Sequence, residues 1–399
     1  MSIKDVQIEQ FLTRSVEKVY PSKEMVASLL RSGRRLRMYL GIDPTGPSLH
    51  IGHAIQLAKL TEWQKMGHTA ILLLGTFTAT IGDPSGKTTT RVPLTREQVN
   101  ENMALYLDQA AHFLEFKGEN PVLIRYNHEW FDELRFPEVL KLASHVTVQQ
   151  LLERDMFQKR IEEGRPIHLH EFMYPLMQGY DSVVLDTDGE VGGNDQTFNM
   201  LAGRTLARQM SGKDKFVITN RLLVDPAGKK MGKTEGNMIT LADSPEDMYG
   251  KVMSWTDGMI LPGFELCTNE SIDELRKVES RLNDPTANPM HEKLRLARLI
   301  TARYHGEDGA RSGEAFFTTA IIEKDVPELC VEVKVSQGAI LGETLVREGV
   351  LTSKAVFKRL IQEGAIHFNG EAVTDFNFSL SLPGTVKVGK HRFLKILFV

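Results

Sequence analysis

The amino-acid sequence predicts an α/β protein with an open parallel sheet, followed by a helical segment and a small α+β segment. Three observations support this fold class. Residues 37–78 show a strand–helix–strand pattern, residues from 244 onward show a helical pattern, and Asn369-Gly370 lies between two apolar runs near the C-terminus. With 399 residues, the chain is also long enough to form two or three domains.

The first segment contains the strand–helix–strand unit. Arg37–Ile42 is an apolar run typical of a buried strand, Leu49–Met66 shows a helical pattern, and residues 69–78 form a second apolar run. A connection of this kind predicts two parallel strands joined by a right-handed helical crossover. Val183–Leu185 and Phe216–Thr219 are predicted to add later strands to the same sheet.

The remaining segments change in pattern. Ser244-Pro245 combines a capping hydroxyl with a proline at the first helical position, and Asn288-Pro289 begins another helix. Two short helical patterns then precede the Asn369-Gly370 hairpin signal and two further strand-like runs. We therefore predict an α/β domain over 1–225, a connecting loop over 226–243, a helical domain over 244–324, a linker over 325–339 and an α+β domain over 340–399.

Charge and cysteine content narrow the classes of function. The chain has 48 Lys and Arg against 52 Asp and Glu, a net charge of −4, which excludes a basic nucleic-acid-binding protein as a whole but not a local basic face. Residues 331–399 do hold 9 basic against 6 acidic side chains, a net charge of +3. Cys267 and Cys330 form no paired ligand motif, so neither a disulfide scaffold nor a cysteine-based zinc site is expected.

Targeting signals are not recognisable in the sequence. Residues 1–20 mix charges throughout and lack the apolar core of a signal peptide. The most apolar run, residues 70–81, is too short to cross a bilayer. These patterns predict a cytoplasmic protein without a membrane partner.

The densest chemical signal follows the first strand. The chain turns after Gly41, Ser48 is a candidate helix cap, and the first turn of the helix would carry His50 and His53 on one face. Gly52 lies between the histidines and allows a ligand to approach closely. The free N–H groups and dipole of a helix N-terminus attract anions, and two imidazoles there can donate hydrogen bonds to a phosphate. The alternative is a capped helix with two incidental surface histidines.

Two later loops are rich in glycine and basic residues. Gly82–Thr88 looks like a phosphate-binding P-loop, but it has three residues between its glycines where that motif needs four. It is either a polar loop or a mobile loop that brings cations to phosphates. Asp225–Gly236 has the same two interpretations. The cations of interest in the two loops are Lys87, Arg91, Lys229, Lys230 and Lys233.

Taken together, these motifs resemble a known family. His50-Ile-Gly-His53 with Lys230-Met-Gly-Lys-Thr234 resembles the two signatures of class I aminoacyl-tRNA synthetases, HIGH and KMSKS. Further blocks, in the same order along nearly the whole chain, resemble those of the bacterial tyrosyl-tRNA synthetases. The resemblance implies a Rossmann-like catalytic domain that activates L-tyrosine with ATP and transfers it to tRNA(Tyr). The blocks are Tyr39–Thr45, Ile81–Gly86, Tyr174–Asp181 and Gly192–Gln196.

The resemblance also implies how tyrosine is held. Tyr39 and Asp181 match positions that bind the substrate phenol, and a hydroxyl donor with a carboxylate acceptor complements its OH group. Phenylalanine would leave both buried groups unpaired, which is costly. The α-ammonium group would be bound by a carboxylate, a phenol and an amide oxygen. The matching residues are Asp83, Tyr174 and Gln178 for the ammonium group, with Thr78 and Gln196 beside it.

For ATP, the resemblance implies attack of the tyrosine carboxylate on the α-phosphorus and release of pyrophosphate. No side-chain nucleophile is needed, because positioning and charge stabilisation supply the catalysis. Mg²⁺ would accompany ATP, held mainly by its phosphates, and no tightly bound protein-ligated metal is expected. The catalytic residues implied are Thr45, His50, His53, Lys87, Arg91, Lys230 and Lys233, and the ATP-binding residues are Asp43, Gly52, Gly193, Asp195 and Lys233.

The C-terminal segment resembles an S4-type RNA-binding domain. Lys354, Lys358 and Arg359 are candidate RNA-binding residues, although such a charge run can also be an ordinary solvated face. The family acts as symmetric dimers, so the expected partners are tRNA(Tyr), L-tyrosine, ATP and a second copy of the chain. The sequence departs from the family pattern at positions where serine is usual, namely Asn194, Gly232 and Thr234.

Other functions remain open from the sequence. A tryptophanyl-tRNA synthetase is disfavoured by Tyr39 with Asp181, and a small-molecule nucleotidyltransferase is disfavoured by the tyrosine-site blocks and the C-terminal extension. A non-catalytic RNA-binding relative is disfavoured by the complete set of site residues. His168-Leu-His170-Glu171 could suggest a metal site, but no third ligand cluster follows it.

Overall fold

The structure is a computed structural model that describes residues 3–85, 93–225, 238–319, 331–389 and 392–398. The chain divides into two compact units. The first combines Met1–Ala242 with Trp255–Pro289, and the second combines Asp243–Ser254 with Met290–Val399. Trp255–Pro289 therefore groups with the first unit, although the sequence pattern placed it in a helical domain over 244–324.

The first unit is built on the strands β1 (Val16–Tyr20), β2 (Arg37–Ile42), β3 (Thr69–Leu74), β4 (Leu123–Tyr126), β5 (Gly189–Gly193) and β6 (Phe216–Asn220). They form one sheet in the order β1-β6-β5-β2-β3-β4. Only β1 pairs antiparallel, with β6, and the other four pairings are parallel. The predicted open parallel α/β sheet is confirmed.

Helices connect these strands, and the helix that carries Gly179 closely approaches the helix that carries Gly203. A Cβ atom built on Gly179 would lie 3.1 Å from the Cα atom of Gly203, so the two helices meet where neither has a side chain. The helices of the first unit are α1 (Ile3–Phe11), α2 (Lys23–Arg31), α3 (Ile51–Lys65), α4 (Thr78–Ile81), α5 (Arg96–Met103), α6 (Tyr106–Ala110), α7 (His128–Phe131), α8 (Phe136–Ala143), α9 (Val148–Leu152), α10 (Asp155–Glu162), α11 (Leu169–Val184), α12 (Thr197–Ser211), α14 (Ile260–Cys267) and α15 (Ile272–Leu282).

The predicted strand–helix–strand unit is β2–α3–β3. Its two strands pair in parallel from Arg37 opposite Thr69 to Ile42 opposite Leu74. Both are mostly buried apolar runs, which is typical of parallel strands covered on both faces. The strand order reverses between β2 and β5, so a crevice is expected at the carboxyl ends of these two strands.

Two details of the predicted strands are wrong. Val183–Leu185 does not form a strand, because Val183 and Val184 are the last residues of α11 and β5 begins only at Gly189. A run of three apolar residues fits the buried face of a helix as well as a strand. The second apolar run stops being a strand at Leu74, where the chain turns before α4.

The second unit begins with helices that match the predicted starts. The helix α13 (Pro245–Met253) is capped by Ser244, whose hydroxyl oxygen accepts a 3.2 Å hydrogen bond from the amide of Asp247. The helix α16 (Pro289–Phe317) is interrupted at Gly306, whose φ of 71° lies in the left-handed region that glycine adopts without strain.

The C-terminal part of this unit has its own sheet, in the order β7-β11-β10-β8-β9 counted along the chain. The predicted hairpin at Asn369-Gly370 is confirmed, with φ values of 51° and 86° at its two central residues. Its elements are β7 (Val331–Val335), α17 (Leu341–Arg347), α18 (Lys354–Gln362), β8 (Ile366–Phe368), β9 (Glu371–Ala372), β10 (Gly384–Val388) and β11 (Arg392–Phe398).

One segment assigned to the linker over 325–339 belongs to this sheet. Strand β7 pairs in parallel with β11, from Val331 opposite Leu394 to Val335 opposite Phe398. The alternation Val-Glu-Val-Lys-Val is a strand pattern, and Val333 and Val335 are buried in the core of the C-terminal sheet. Part of the predicted linker is therefore a strand.

Candidate active site

A cavity of about 530 Å³ lies in the crevice where the strand order reverses between β2 and β5. Ligands of open α/β sheets bind at this position, outside the carboxyl ends of the strands. All the predicted tyrosine-site and nucleotide-site residues that the structure describes line this one cavity. They are Tyr39, Asp43, Thr45, His50, Gly52, His53, Thr78, Asp83, Tyr174, Gln178, Asp181, Gly193, Asp195 and Gln196.

The histidine motif builds the N-terminus of helix α3. His50 itself is the N-cap: its Nδ1 accepts a 3.1 Å hydrogen bond from the amide of Gly52. His53 completes the turn, because its Nδ1 accepts a 3.2 Å hydrogen bond from the amide of His50. The predicted cap, Ser48, instead donates its hydroxyl to the carbonyl of Leu49 at 2.9 Å.

This capping arrangement fixes the proton positions of both imidazoles. A neutral histidine whose Nδ1 accepts a hydrogen bond carries its proton on Nε2. The rings of His50 and His53 stack with centroids 3.8 Å apart. Burial, with a smaller contribution from His50, lowers the pKa of His53 well below its ordinary value. Two neutral N–H donors at a helix N-terminus can therefore bind a phosphate without the cost of burying an imidazolium.

Asp43 lies directly after β2 and connects two sides of the cavity. One carboxylate oxygen accepts a 2.8 Å hydrogen bond from the phenol of Tyr174, and the other accepts a 2.7 Å bond from the hydroxyl of Thr78. Burial raises the pKa of Tyr174 well above its ordinary value, and the charges of Asp43 and Asp83 add to this shift. Tyr174 is therefore a fixed neutral donor.

Asp181 lies on α11 and is buried, with 3% of its surface exposed. Its carboxylate accepts hydrogen bonds from the indole N–H of Trp130 at 2.9 Å and from the amide of Asn127 at 3.4 Å. Burial raises its pKa well above the ordinary value, although these two donors oppose the shift. The group is thus a carboxyl held in a buried part of the cavity, where it can bind a polar group with high selectivity.

Tyr39 is buried on β2 next to this carboxyl. Its hydroxyl lies 3.0 Å from Oγ of Ser182, and it donates a longer bond of 3.3 Å to the carbonyl of Gln178. Burial raises its pKa well above the ordinary value, and the charges of Glu190 and Asp181 raise it further. The hydroxyl of Tyr39 is therefore neutral and already oriented by the protein.

Asp83 and Gln196 form the opposite wall of the cavity. The amide of Gln196 donates a 2.7 Å hydrogen bond to Asp83, and its carbonyl oxygen accepts a 3.0 Å bond from Asn199. The hydroxyl of Ser85 accepts a 2.6 Å bond from Arg154, a buried cation whose pKa is lowered by burial. Arg154 holds this wall without lining the cavity itself.

The carboxyl end of β5 provides a narrow, glycine-lined edge. A Cβ atom on Gly193 would lie 2.5 Å from the carboxylate of Asp195, and one on Gly52 would lie 3.0 Å from the ring of His50. Thr45 is in the turn after β2, where its amide donates a 2.8 Å hydrogen bond to the carbonyl of Asp43. Gly52 and Gly193 both line the cavity, and neither has a Cβ atom that would narrow it.

The described segment after the second glycine-rich loop, from residue 238 onward, pairs with the histidine motif. Ile239 accepts a 3.0 Å backbone hydrogen bond from Ile51, and Leu241 donates a 2.9 Å bond to Leu49. The segment that follows the loop therefore runs beside the histidine motif. The predicted loop cations Lys87, Arg91, Lys230 and Lys233 lie outside the described residues.

The predicted RNA-binding residues lie in the other compact unit, at helix α18. Lys354 pairs with Glu343 at 2.7 Å, and Arg359 lies 3.6 Å from Glu363. The ammonium group of Lys358 lies 5.7 Å from the ring centroid of Phe376. All three cations are exposed on one short helix, whose Phe357 and Ile361 are buried.

Among the described residues, no group of three or more His, Cys, Asp or Glu side chains has a geometry that could hold a metal ion. His168 and His170 stack 5.7 Å apart between ring centroids. Across the residues that the structure describes, no helix is both long and apolar enough to span a membrane.

Motif-based reasoning missed five residues that support the cavity. None belongs to a recognisable signature, and four of them contact a residue that the sequence did identify. Asn127 and Trp130 bond Asp181, Ser182 lies beside the hydroxyl of Tyr39, and Glu190 bonds Gln178. Two of the five, Glu190 and Lys215, are charged residues inside or beside an apolar strand, and this pattern could have indicated them. The five residues are Asn127, Trp130, Ser182, Glu190 and Lys215.

Comparison with known proteins places this site in a family. Residues 31–320 match the profile of the class I tRNA synthetases for tryptophan and tyrosine. The tyrosine–tRNA ligase of Thermotoga maritima is 40% identical over 390 residues, covering 97% of this chain and 96% of that protein. The ligase of Carboxydothermus hydrogenoformans is 41% identical over 402 residues, covering 98% and 97%.

Solved structures show the same fold. A C-terminally truncated mitochondrial tyrosyl-tRNA synthetase of Coccidioides posadasii superposes with a TM-score of 0.63 at 22% identity, over 78% of this chain and 91% of that one. The tyrosyl-tRNA synthetase of Archaeoglobus fulgidus, complexed with L-tyrosine, superposes with a TM-score of 0.61 at 20% identity, over 78% and 99%. The resemblance inferred from the motifs is confirmed, and the chain belongs to the class I tRNA synthetase family of the tryptophan and tyrosine enzymes.

Proposed function

We propose that this chain is a tyrosine–tRNA ligase that converts L-tyrosine and ATP to tyrosyl-adenylate and pyrophosphate, and then transfers tyrosine to the 3′ end of tRNA(Tyr). The observation that carries the choice of amino acid is the buried carboxyl of Asp181 beside the hydroxyl of Tyr39. The full-length similarity to tyrosine–tRNA ligases supports the same choice.

The amino-acid half of the site would bind tyrosine at its two ends. The substrate phenol can both donate and accept a hydrogen bond, so Asp181 and Tyr39 can satisfy it together. The side chain of phenylalanine would leave these buried groups unpaired. At the other end, the ammonium group would be bound by Asp83, Tyr174 and Gln178, with Thr78 and Gln196 completing the wall.

The nucleotide half would bind ATP between the start of α3 and the end of β5. A carboxylate oxygen of tyrosine forms the new bond to the α-phosphorus, and the bond to the bridging oxygen of pyrophosphate breaks with its electrons. His50, His53 and Thr45 would donate hydrogen bonds to phosphate oxygens as charge develops there. The ribose and the adenylate would lie against Asp43, Gly52, Gly193 and Asp195.

The loop cations Lys87, Arg91, Lys230 and Lys233 would neutralise the leaving pyrophosphate. Charge stabilisation of this kind acts mainly in the transition state, so it raises the rate more than it strengthens ground-state binding. Mg²⁺ would enter with ATP as part of the substrate, held mainly by phosphate oxygens. The reaction then needs no nucleophilic side chain.

The same family membership supports a proposal for the second step and for the assembly. The C-terminal sheet with α17 and α18 would act as an S4-type RNA-binding domain for tRNA(Tyr), with Lys354, Lys358 and Arg359 on phosphates. The chain would act in the cytoplasm as a symmetric homodimer. Exposed apolar side chains on helices α8 to α11 support a protein interface there, namely Phe136, Leu140, Val148, Ile161 and Leu169.

Amino-acid-dependent exchange of pyrophosphate into ATP tests the proposal. We expect exchange with tyrosine and none with phenylalanine or tryptophan, whereas exchange with tryptophan alone would favour the tryptophanyl enzyme. Asp181→Ala should abolish the exchange with tyrosine. The matched control is Asp273→Ala, at an aspartate whose side chain is 82% exposed, which should leave the exchange unchanged.

A further inference from the structure

A buried ion pair lies at the wall of the cavity, which Glu190 lines, and it is not part of any recognised motif. Glu190 on β5 accepts a hydrogen bond from the ammonium group of Lys215, the residue before β6. The two side chains are only 3% and 0% exposed. Gly203 leaves space for the lysine, because a Cβ atom on Gly203 would lie 2.7 Å from Nζ of Lys215.

Stability alone does not account for this pair. Removing two charges from water is costly, and well-packed apolar residues often replace a buried ion pair without loss of stability. Burial indeed lowers the pKa of Lys215, although Glu190 opposes the shift. What distinguishes the pair is that each partner makes a second hydrogen bond that leads to the amino-acid half of the site. Glu190 bonds Gln178 directly, and Lys215 reaches Tyr39 through Ser182.

The first branch runs through the carboxylate. The other oxygen of Glu190 accepts a 2.9 Å hydrogen bond from Nε2 of Gln178. A carboxylate can only accept, so this contact turns the NH₂ group of Gln178 toward Glu190 and its carbonyl oxygen away. An ammonium group has only donors, and it therefore requires that oxygen rather than the NH₂ group.

The second branch runs through a hydroxyl. Lys215 donates a 2.7 Å hydrogen bond to Oγ of Ser182, which in turn lies 3.0 Å from the hydroxyl of Tyr39. The lysine ammonium also lies 5.7 Å from the ring centroid of Tyr39. Ser182 and Gln178 are four residues apart on α11 and so lie on the same face of that helix. One cation thus reaches both ends of the amino-acid half.

We propose that Lys215 is a positioning residue for tyrosine, which fixes the amide of Gln178 through Glu190 and the hydroxyl of Tyr39 through Ser182. This inference rests on the proposed function, since it assigns the two oriented groups to the ammonium and phenol ends of the substrate. Neither Lys215 nor Ser182 needs to contact the substrate for this role.

The first test is Lys215→Met, assayed by pyrophosphate exchange and by calorimetric titration with tyrosine. We expect the KM and Kd for tyrosine to rise by about tenfold or more, the loss that misdirected hydrogen bonds produce, with the KM for ATP within about twofold of the wild type. Lys59→Met is the matched control. Lys59 is also buried and pairs with a glutamate, Glu62, on α3, but it does not line the cavity.

The double variant Lys215→Met with Glu190→Gln separates positioning from folding. It removes both charges, so its melting temperature should recover toward the wild-type value. A glutamine at 190 can accept or donate, so it no longer fixes the amide of Gln178, and the KM for tyrosine should stay raised. A folded double variant with wild-type affinity for tyrosine would overturn the inference. A wild-type protein that neither binds nor activates tyrosine would overturn the proposed function, and the inference with it.

Discussion

The phenol of Tyr174 donates a 2.8 Å hydrogen bond to Oδ2 of Asp43, and this bond ties helix α11 to the carboxyl end of β2. The two residues belong to different halves of the proposed site. Tyr174 would bind the ammonium group of tyrosine, and Asp43 would line the adenylate. The contact therefore offers a direct route by which occupation of one half can affect the other.

The first prediction concerns this contact. Tyr174→Phe should raise the KM for tyrosine by about tenfold, because a charge-assisted hydrogen bond is lost. It should also raise the KM for ATP, since Asp43 loses one of its donors. A double-mutant cycle with Asp43→Asn should give a coupling of about 1 kcal/mol. Tyr180→Phe, a matched change on the same helix, should leave both KM values unchanged, and additive effects at 174 and 43 would contradict the coupling.

The second prediction concerns the pH dependence of Asp181. Burial raises its folded pKa above the unfolded value, so the stability that its protonated form contributes is complete at low pH and is lost as pH rises through the folded pKa. Asp181→Asn cannot ionise, so relative to the wild type it should gain about 1 kcal/mol or more between pH 4 and pH 8. Urea denaturation at several pH values measures this difference, which should accompany a loss of tyrosine activation. A constant difference would show that Asp181 does not resist ionisation.

The third prediction concerns His53, whose shift has the opposite consequence. Its folded pKa lies below the unfolded value of 6.5, so its contribution to stability is present above that pH and is lost as pH falls toward the folded pKa. His53→Gln keeps an acceptor for the amide of His50 but cannot titrate. The variant should lose less stability than the wild type between pH 7 and pH 5, measured by thermal denaturation. Parallel curves for the two proteins would argue against a depressed pKa.

The fourth prediction concerns Gly75, which follows β3. A Cβ atom there would lie 1.9 Å from a carboxylate oxygen of Asp43 and 2.4 Å from the hydroxyl of Thr78. Gly75→Ala should displace Asp43 and lower kcat/KM in the exchange assay by at least about tenfold. Gly250→Ala on α13 is the control, because a Cβ atom at position 250 would have no neighbour within 4 Å. This change should raise the free energy of unfolding by about 0.5–1 kcal/mol without affecting exchange.

The fifth prediction separates RNA binding from amino-acid activation. Replacing the three cations of α18 with alanine should lower kcat/KM for tRNA charging by about tenfold or more and weaken its salt dependence, because phosphate contacts release counterions. Pyrophosphate exchange should not change. Equal losses in both assays would assign α18 a structural role. The variants are Lys354→Ala, Lys358→Ala and Arg359→Ala, and the control changes three cations of the first unit, Lys23, Arg31 and Arg34, to alanine.

The parts of the fold that could be predicted are those with strong local signals. The apolar runs of β2 and β3, the cap at Ser244 and the Asn369-Gly370 hairpin are each encoded within a few residues. Val183–Leu185 was misassigned because a short apolar run fits a buried helix end and a strand equally well. Strand β7 was assigned to a linker because its partner, β11, is more than 60 residues away in sequence.

The candidate site also contains residues that a local sequence signal predicts and residues that it does not. Its motifs identified fourteen of the residues that line the cavity, because the residues of each motif lie close together in the sequence. The supporting residues could not be identified in this way, since the sequence does not show that Lys215 reaches Glu190 or that Trp130 reaches Asp181. Ser48 was a reasonable cap by residue type, but an imidazole nitrogen can also accept an amide hydrogen bond, and His50 takes that role here.

The close approach of α11 and α12 at Gly179 and Gly203 has a consequence for engineering the amino acid that is accepted. The residues of α11 that would face tyrosine lie on a helix that packs against its neighbour at two positions without a side chain. An alanine at Gly179 would place a methyl group against Leu206 and Gly203 of α12, and we expect it to shift α11 and so change the shape of the pocket without altering any residue that lines it. Variant libraries intended to accept larger tyrosine analogues should therefore include Gly179 as well as the residues that line the pocket.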